Sequence, residues 1–311
     1  MIVFFATDVH GSDVCWKKFI NAGKYYRSEV LILGGDMTGK AIIPFIKLKD
    51  GFHFDFMENK QILQSEEEVS QAEKMIADKG YYPVRFTPEE IDYYREHPEE
   101  REALFTQKAL KRLEDWLAFA ESKLKDTGIK VFVCPGNDDM FEIDGLLNQS
   151  PYIISAEGQA FDLDENCQLI STGWCNPTPW NTFREESDSK LLERLEKMLP
   201  LVRDFRRLIC NFHGPPYKSG LDDAPELDEN LRPKFAGQSL VPVGSKAVRD
   251  FIYRHQPMLG LFGHIHEARG TQRLKKTIGI NPGSSYEQGL LQGALIEINK
   301  KGVRNYLLTS G

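Results

Sequence analysis

Five stretches of this chain set hard oxygen or imidazole donors beside glycine: Asp8-Val9-His10-Gly11, Gly35-Asp36, Gly136-Asn137-Asp138-Asp139, His213-Gly214 and Gly263-His264-Ile265-His266. Carboxylate, amide oxygen and neutral imidazole are donors suited to divalent ions such as Mn²⁺, Fe²⁺ or Zn²⁺. Four of the seven histidines fall in this set, while His53, His97 and His255 lie outside it and are assigned no role. A His-x-His pair on a strand turns both rings to one face, but a single such pair is more often structural than a ligand. The same holds for Cys134-Pro135-Gly136-Asn137-Asp138-Asp139-Met140, whose residue types all favour a turn after a strand. Repetition of the pattern, always after an apolar run, is what points to a metal centre.

The apolar runs read as strands over residues 2–6, 30–33, 131–134, 168–171, 208–211 and 258–262, and Ser12 caps a helix reaching about residue 26. The chain therefore opens as a β-α-β unit of an α/β fold. Ligands of open α/β sheets bind beyond the carboxyl ends of the strands, where the donor stretches lie. Gly34, Gly35, Gly136, Gly263 and Gly283 are expected to let the backbone turn sharply there. A helix over 188–206, another from Ser245 to 255, and a closing hairpin of 294–299 with 303–308 complete this part.

Residues 40–127 read differently. A hairpin of 42–48 and 52–57 turns at Lys49-Asp50-Gly51, and polar helices follow over 66–79, 88–96 and 98–125. In the last, Leu104, Ala109, Leu110, Leu113, Leu117 and Phe119 form an apolar stripe expected to be a packing face. The whole is read as one domain, 1–311, with an insertion at about 40–127.

With 41% hydrophobic and 27% charged residues, the composition is that of an ordinary globular protein. A net charge of −7 argues against a broad nucleic-acid footprint. Cys15, Cys134, Cys167, Cys175 and Cys210 are odd in number and form no Cys-x-x-Cys pair, which fits a reducing compartment and neither a disulfide framework nor a zinc knuckle. No basic leader opens the chain and no run approaches the ~18 apolar residues of a membrane span. A cytoplasmic protein with neither targeting segment nor membrane anchor is the expectation.

The ordered donor stretches resemble the motifs of the calcineurin-like metallophosphoesterases, from residue 1 to about residue 298 apart from 40–127. Gly263-His264-Ile265-His266-Glu267, Asn281-Pro282-Gly283-Ser284, Asn176-Pro177-Thr178-Pro179-Trp180 and His213-Gly214-Pro215-Pro216 look like the Icc-like branch of predicted phosphohydrolases. The resemblance implies a four-layer α/β/β/α sandwich with two divalent ions, Mn, Fe, Zn or Ni, at the strand ends. It implies that Asp8, His10 and His266 hold one ion, that Asn137, His213 and His264 hold the other, and that Asp36 bridges them. No thiolate is expected near enough to bias the site toward soft metals.

In most of that family a histidine follows the metal-binding asparagine; here the place holds Asp138. Asp138 is read as an acid with a raised pKa, as a residue that orients water, or as a sign that the substrate leaves without acid help. Arg184, Lys218 and Arg269, near the motif loops, are the candidate phosphate contacts. The expected activity is hydrolysis of a phosphodiester or phosphomonoester of a small molecule or nucleotide. Two alternatives stand beside it: a scaffold of the same fold that binds a protein partner, or forms a homo-oligomer, through 40–127, and a nuclease of the SbcD branch.

Overall fold

Successive residues of the strand Ile2–Ala6 face opposite ways, and both faces are buried. In the computed structural model, which describes residues 1–311, Phe4 and Ala6 enter a core with Trp16, Phe19 and Ile20 of the helix Asp13–Tyr25. Val3 and Phe5 enter a second core, facing Leu169, Ile209, Leu259 and Leu261 of another sheet. On that sheet's far side, Leu208, Cys210 and Phe212 meet Leu191 and Leu195 of the helix Asp188–Lys197 and Val248, Phe251 and Ile252 of the helix Lys246–His255. Helix, sheet, sheet, helix is the expected α/β/β/α sandwich.

The first sheet runs Gly302–Ser310, Gln292–Asn299, Ile2–Ala6, Val30–Leu33, Lys130–Val133, Ile153–Ser155. The second runs Gly270–Leu274, Thr277–Asn281, Leu259–Leu261, Leu208–Phe212, Cys167–Thr172, Ala160–Asp164. Ala6 pairs with Leu33 and Leu33 with Val133 in parallel register, so the three following loops leave the sheet side by side. Across the sandwich, Asn211 pairs with Leu261, which aligns the loops carrying His213 and His264. Register thus gathers five loops distant in sequence at one end of the sandwich.

Residues 40–97 depart from the sequence reading. Asn59–Leu63 and Tyr82–Phe86 extend the hairpin to a four-stranded sheet, in the order Asn59–Leu63, Gly51–Phe56, Ile42–Leu48, Tyr82–Phe86. The helix Glu66–Asp78 packs on this sheet, with Val69, Ala72 and Ile76 against Phe45 and Phe54. The helix Pro98–Leu124, read as part of the insertion, lies in the sandwich's outer helical layer. Its Leu113, Trp116, Ala120 and Leu124 join the first core, and Trp116 stacks on Trp16 with ring centroids 4.8 Å apart. The helix read over 188–206 stops at Lys197, and Pro200 sits in the short turn that follows. No helix is long and apolar enough to cross a membrane.

Candidate metal centre

Four residues of the donor loops, Asp8, His10, Asp36 and His264, have positive φ, between 39° and 65°. Such backbone costs energy for residues with a side chain and persists where surrounding structure over-determines it. Here the surroundings are backbone bonds between loops: Asp8 N–H donates to Gly35 O at 2.9 Å and His10 N–H to Asp36 O at 2.8 Å. Gly136 and Gly263 are required by close approach. A Cβ on Gly136 would collide with the Asp36 carboxylate, and one on Gly263 with Thr7 Oγ1.

All seven expected ligands converge. His266 Nε2 lies 3.3 Å from Asp8 Oδ1 and 3.2 Å from His10 Nε2. His213 Nε2 lies 3.0 Å from Asn137 Oδ1, and the His213 and His264 rings are 5.3 Å apart between centroids. Asp36 Oδ2 stands between the two groups, 3.5 Å from His10 Nε2 and 3.3 Å from His213 Nε2. Asp8, His10, Asp36, Asn137 and His213 are each at most 3% exposed.

Several contacts aim these donors. His213 Nδ1 faces Gly34 O at 2.9 Å, which places the proton on Nδ1 and leaves Nε2 for an ion. The Asn137 amide N–H donates to Thr182 Oγ1 at 2.7 Å, leaving Oδ1 toward His213. Asp8 accepts from Thr7 Oγ1 at 2.6 Å and from His264 N–H at 3.0 Å.

The electrostatics fit cations. Burial lowers His10 to about 3 and His264 to about 4, keeping both rings neutral as ligands must be. Burial also opposes charge on His213, but the Asp36 and Asp8 carboxylates raise it to about 10. Without an ion, then, a proton on His213 balances the buried carboxylates. Opposed ring nitrogens at 3.2 Å, with a carboxylate beside them, form an arrangement that a cation between them would satisfy.

The two adjacent carboxylates after Asn137 have separate tasks. Asp139, fully buried, accepts from Met37 N–H at 2.9 Å, Thr38 N–H at 2.8 Å, Thr38 Oγ1 at 2.9 Å and Gly136 N–H at 2.7 Å. It joins the loop after Val30–Leu33 to the loop after Lys130–Val133. Asp138 faces the site and pairs with Lys40, a cation the sequence reading missed because it lies beyond the motif. Burial and the Asp36 carboxylate raise Asp138, and Lys40 opposes them. Burial would lower Lys40, but Asp36 and Asp138 raise it, so it stays charged.

A sulfur borders the site: Cys175, His213 and His264 have ligand atoms within 4.8 Å of one another. Burial pushes the Cys175 thiol well above its usual pKa, so it faces the ligands as a neutral S–H group. All five cysteines are free and buried.

Of the three candidate phosphate contacts, Arg184 is turned into the protein. Arg184 is 2% exposed, and its guanidinium donates to Asp139 O, Met140 O and Asp144 and lies over the Phe141 ring. With its donors taken by the protein, Arg184 is structural, a correction to the expected substrate contact. Arg269 donates from two of its five N–H groups, to Pro282 O and Thr309 O, and the Lys218 ammonium lies 5.3 Å from the Tyr217 ring centroid. Arg184→Met is expected to cost about 2 kcal/mol, chiefly from two carbonyls left without donors, because the Asp144 carboxylate is 41% exposed and its ion pair is screened. Urea unfolding would measure it; a change below about 0.5 kcal/mol, the range of ordinary surface substitutions, would refute the structural role.

No family model matches the chain. The uncharacterized protein MJ1162 of Methanocaldococcus jannaschii is 28% identical over 156 residues, which span 50% of this chain and 64% of that protein. TT1561 of Thermus thermophilus aligns over 100% of this chain and 97% of its own, at 12% identity and a TM-score of 0.55. A dimetal phosphatase from Danio rerio aligns over 99% of this chain and 98% of its own, at 12% identity and a TM-score of 0.46. At 12% identity the likeness to TT1561 is one of fold, and it runs the length of both chains.

Proposed function

We propose that this chain is a metal-dependent phosphoester hydrolase with two divalent ions at the carboxyl ends of its central strands. The position of Asp36 carries the reading, since one carboxylate oxygen lies within 3.5 Å of a histidine from each donor group. Asp8, His10 and His266 would hold one ion, Asn137, His213 and His264 the second, and Asp36 would serve both. Such a pair supplies Lewis acidity toward phosphoryl oxygens and hydroxide near neutral pH.

The chain's own residues supply alignment. Asp138 N–H donates to Asp36 Oδ1 at 3.0 Å, so Oδ2 is the oxygen left to be shared. Gly34 and Thr182 fix the His213 ring and the Asn137 amide as described, and the near-complete burial of the floor excludes bulk water. A small phosphodiester or phosphomonoester is the substrate class this supports, with diesters favoured because no histidine follows Asn137.

The test is hydrolysis of bis-p-nitrophenyl phosphate and p-nitrophenyl phosphate by metal-stripped protein resupplied with Mn²⁺, Ni²⁺, Zn²⁺ or Mg²⁺. Turnover that returns only with metal, faster on the diester, is expected. Two ions bound per chain and no turnover on either ester would sink the reading.

A further inference from the structure

We infer that Lys40 is a catalytic residue of this site, its ammonium held by Asp138 where it can bind the departing oxygen of the phosphoester. The inference rests on the hydrolase reading above and adds to it the group that receives the leaving oxygen.

Three observations carry it. First, the backbone at Lys40 is fixed at the rim of the site. Thr38 N–H and Oγ1 bind Asp139 at 2.8 and 2.9 Å, and Gly39 N–H donates at 2.7 Å to the hydroxyl of Tyr82, which is 2% exposed. The insertion's edge strand thus fixes the start of the segment that carries the lysine. Second, the ammonium is aimed at the centre. It bonds the Asp138 carboxylate, whose Oδ2 is 4.0 Å from His10 Nδ1 and whose backbone N–H binds Asp36.

Third, the pair is open where the floor is closed. The Lys40 side chain is 39% exposed and that of Asp138 22%. An ammonium has three donors and Asp138 takes one, which leaves two for an arriving ester. Arg184 is buried with its guanidinium donors committed to protein oxygens, so it does not compete for this role, while Arg269 spends Nε and one Nη2 N–H on Pro282 O and Thr309 O.

The step balances without a further reactant. Water adds to phosphorus and loses a proton, and the bond from phosphorus to the leaving oxygen breaks with its electron pair passing to that oxygen. The ammonium hydrogen-bonds this oxygen as its negative charge grows, and the alcohol finally carries the proton the water lost. A fixed cation at developing charge acts more strongly on the transition state than on the bound ester. Asp138 acts through Lys40 and is a positioning residue.

The experiment uses a series of aryl methyl phosphates of rising leaving-group pKa, with wild type, Lys40→Met, Lys40→Arg and Asp138→Asn. Lys40→Met should slow the poorest leaving group about 10²-fold while p-nitrophenol departs almost as before, steepening the dependence of log kcat on leaving-group pKa. Lys40→Arg should restore part of the loss, and Asp138→Asn should fall between. Metal content, by elemental analysis, should stay as in wild type, while calorimetry should show about tenfold weaker binding of inorganic phosphate to metal-loaded Lys40→Met. An unchanged slope, unchanged phosphate affinity or loss of bound metal in Lys40→Met would each overturn the inference. If wild type binds two ions and hydrolyses no ester, the hydrolase reading fails, and the role of Lys40 at the leaving oxygen fails with it. Wild-type turnover with an unaltered Lys40→Met profile condemns Lys40 alone.

Discussion

Asp36→Asn is expected to remove metal-dependent turnover, lowering kcat about 10³-fold, while the protein stays folded. The substitution is nearly isosteric, and Oδ1 can still accept from Asp138 N–H. What it removes is the charge on Oδ2, the atom within 3.5 Å of His10 and 3.3 Å of His213. The ion at Asn137, His213 and His264 would then lose its one carboxylate ligand while the other would keep Asp8, and loss of several kcal/mol of transition-state stabilisation corresponds to about three decades in rate. Elemental analysis should find fewer than two ions per chain at metal concentrations that saturate wild type. An Asp36→Asn protein that keeps both ions and turns over within tenfold of wild type would remove Asp36 from the centre of the site.

Strand periodicity and the donor residues were legible along the chain because both are local. Phe4 and Phe5 entering opposite cores follows from alternation, and the loops after Ala6, Leu33 and Val133 meet because their strands pair in register. The insertion hid its strands for physical reasons. Pro83 interrupts Tyr82–Phe86, and proline is tolerated there because that strand is a sheet edge paired only with Ile42–Leu48. Asn59–Leu63, also an edge, is mostly exposed and so lacks the alternation of a half-buried strand.

Of the stripe expected on Pro98–Leu124, Ala109 and Leu113 are buried, Leu110, Leu117 and Phe119 are half-buried and Leu104 is outside the core; Trp116, Ala120 and Leu124 complete the packed face, which meets the helix Asp13–Tyr25 of the sandwich. Arg184 was misread as a substrate contact. Position near a motif says nothing about burial, and the acceptors that occupy its guanidinium, Asp139 O and Met140 O, are backbone atoms with no mark in the residue types. Lys40 and Cys175 reach the site through tertiary packing, and no spacing rule connects them to the histidines.

Asp139→Ala should be the most damaging change to stability, at about 3–5 kcal/mol. The fully buried carboxylate is the sole side-chain acceptor for Met37 N–H, Thr38 N–H and Gly136 N–H, and it also takes the Thr38 hydroxyl. Each buried donor left without a partner costs roughly 1–3 kcal/mol, and the costs do not add fully because the loops relax together. Burial and the Asp36 carboxylate push Asp139 up to about 6 against the pull of these donors, so the carboxylate is retained at neutral pH by the bonds it makes. Asp139→Asn should cost less, since one amide oxygen still accepts while the amide N–H₂ opposes the remaining donors. The loops joined here carry Asp36, Lys40 and Asn137, so metal affinity should fall with stability in both variants. Chemical denaturation with and without metal measures both effects. If Asp139→Ala unfolds within about 1 kcal/mol of wild type, the second carboxylate is no tie between the loops, and its place after Asp138 needs another cause.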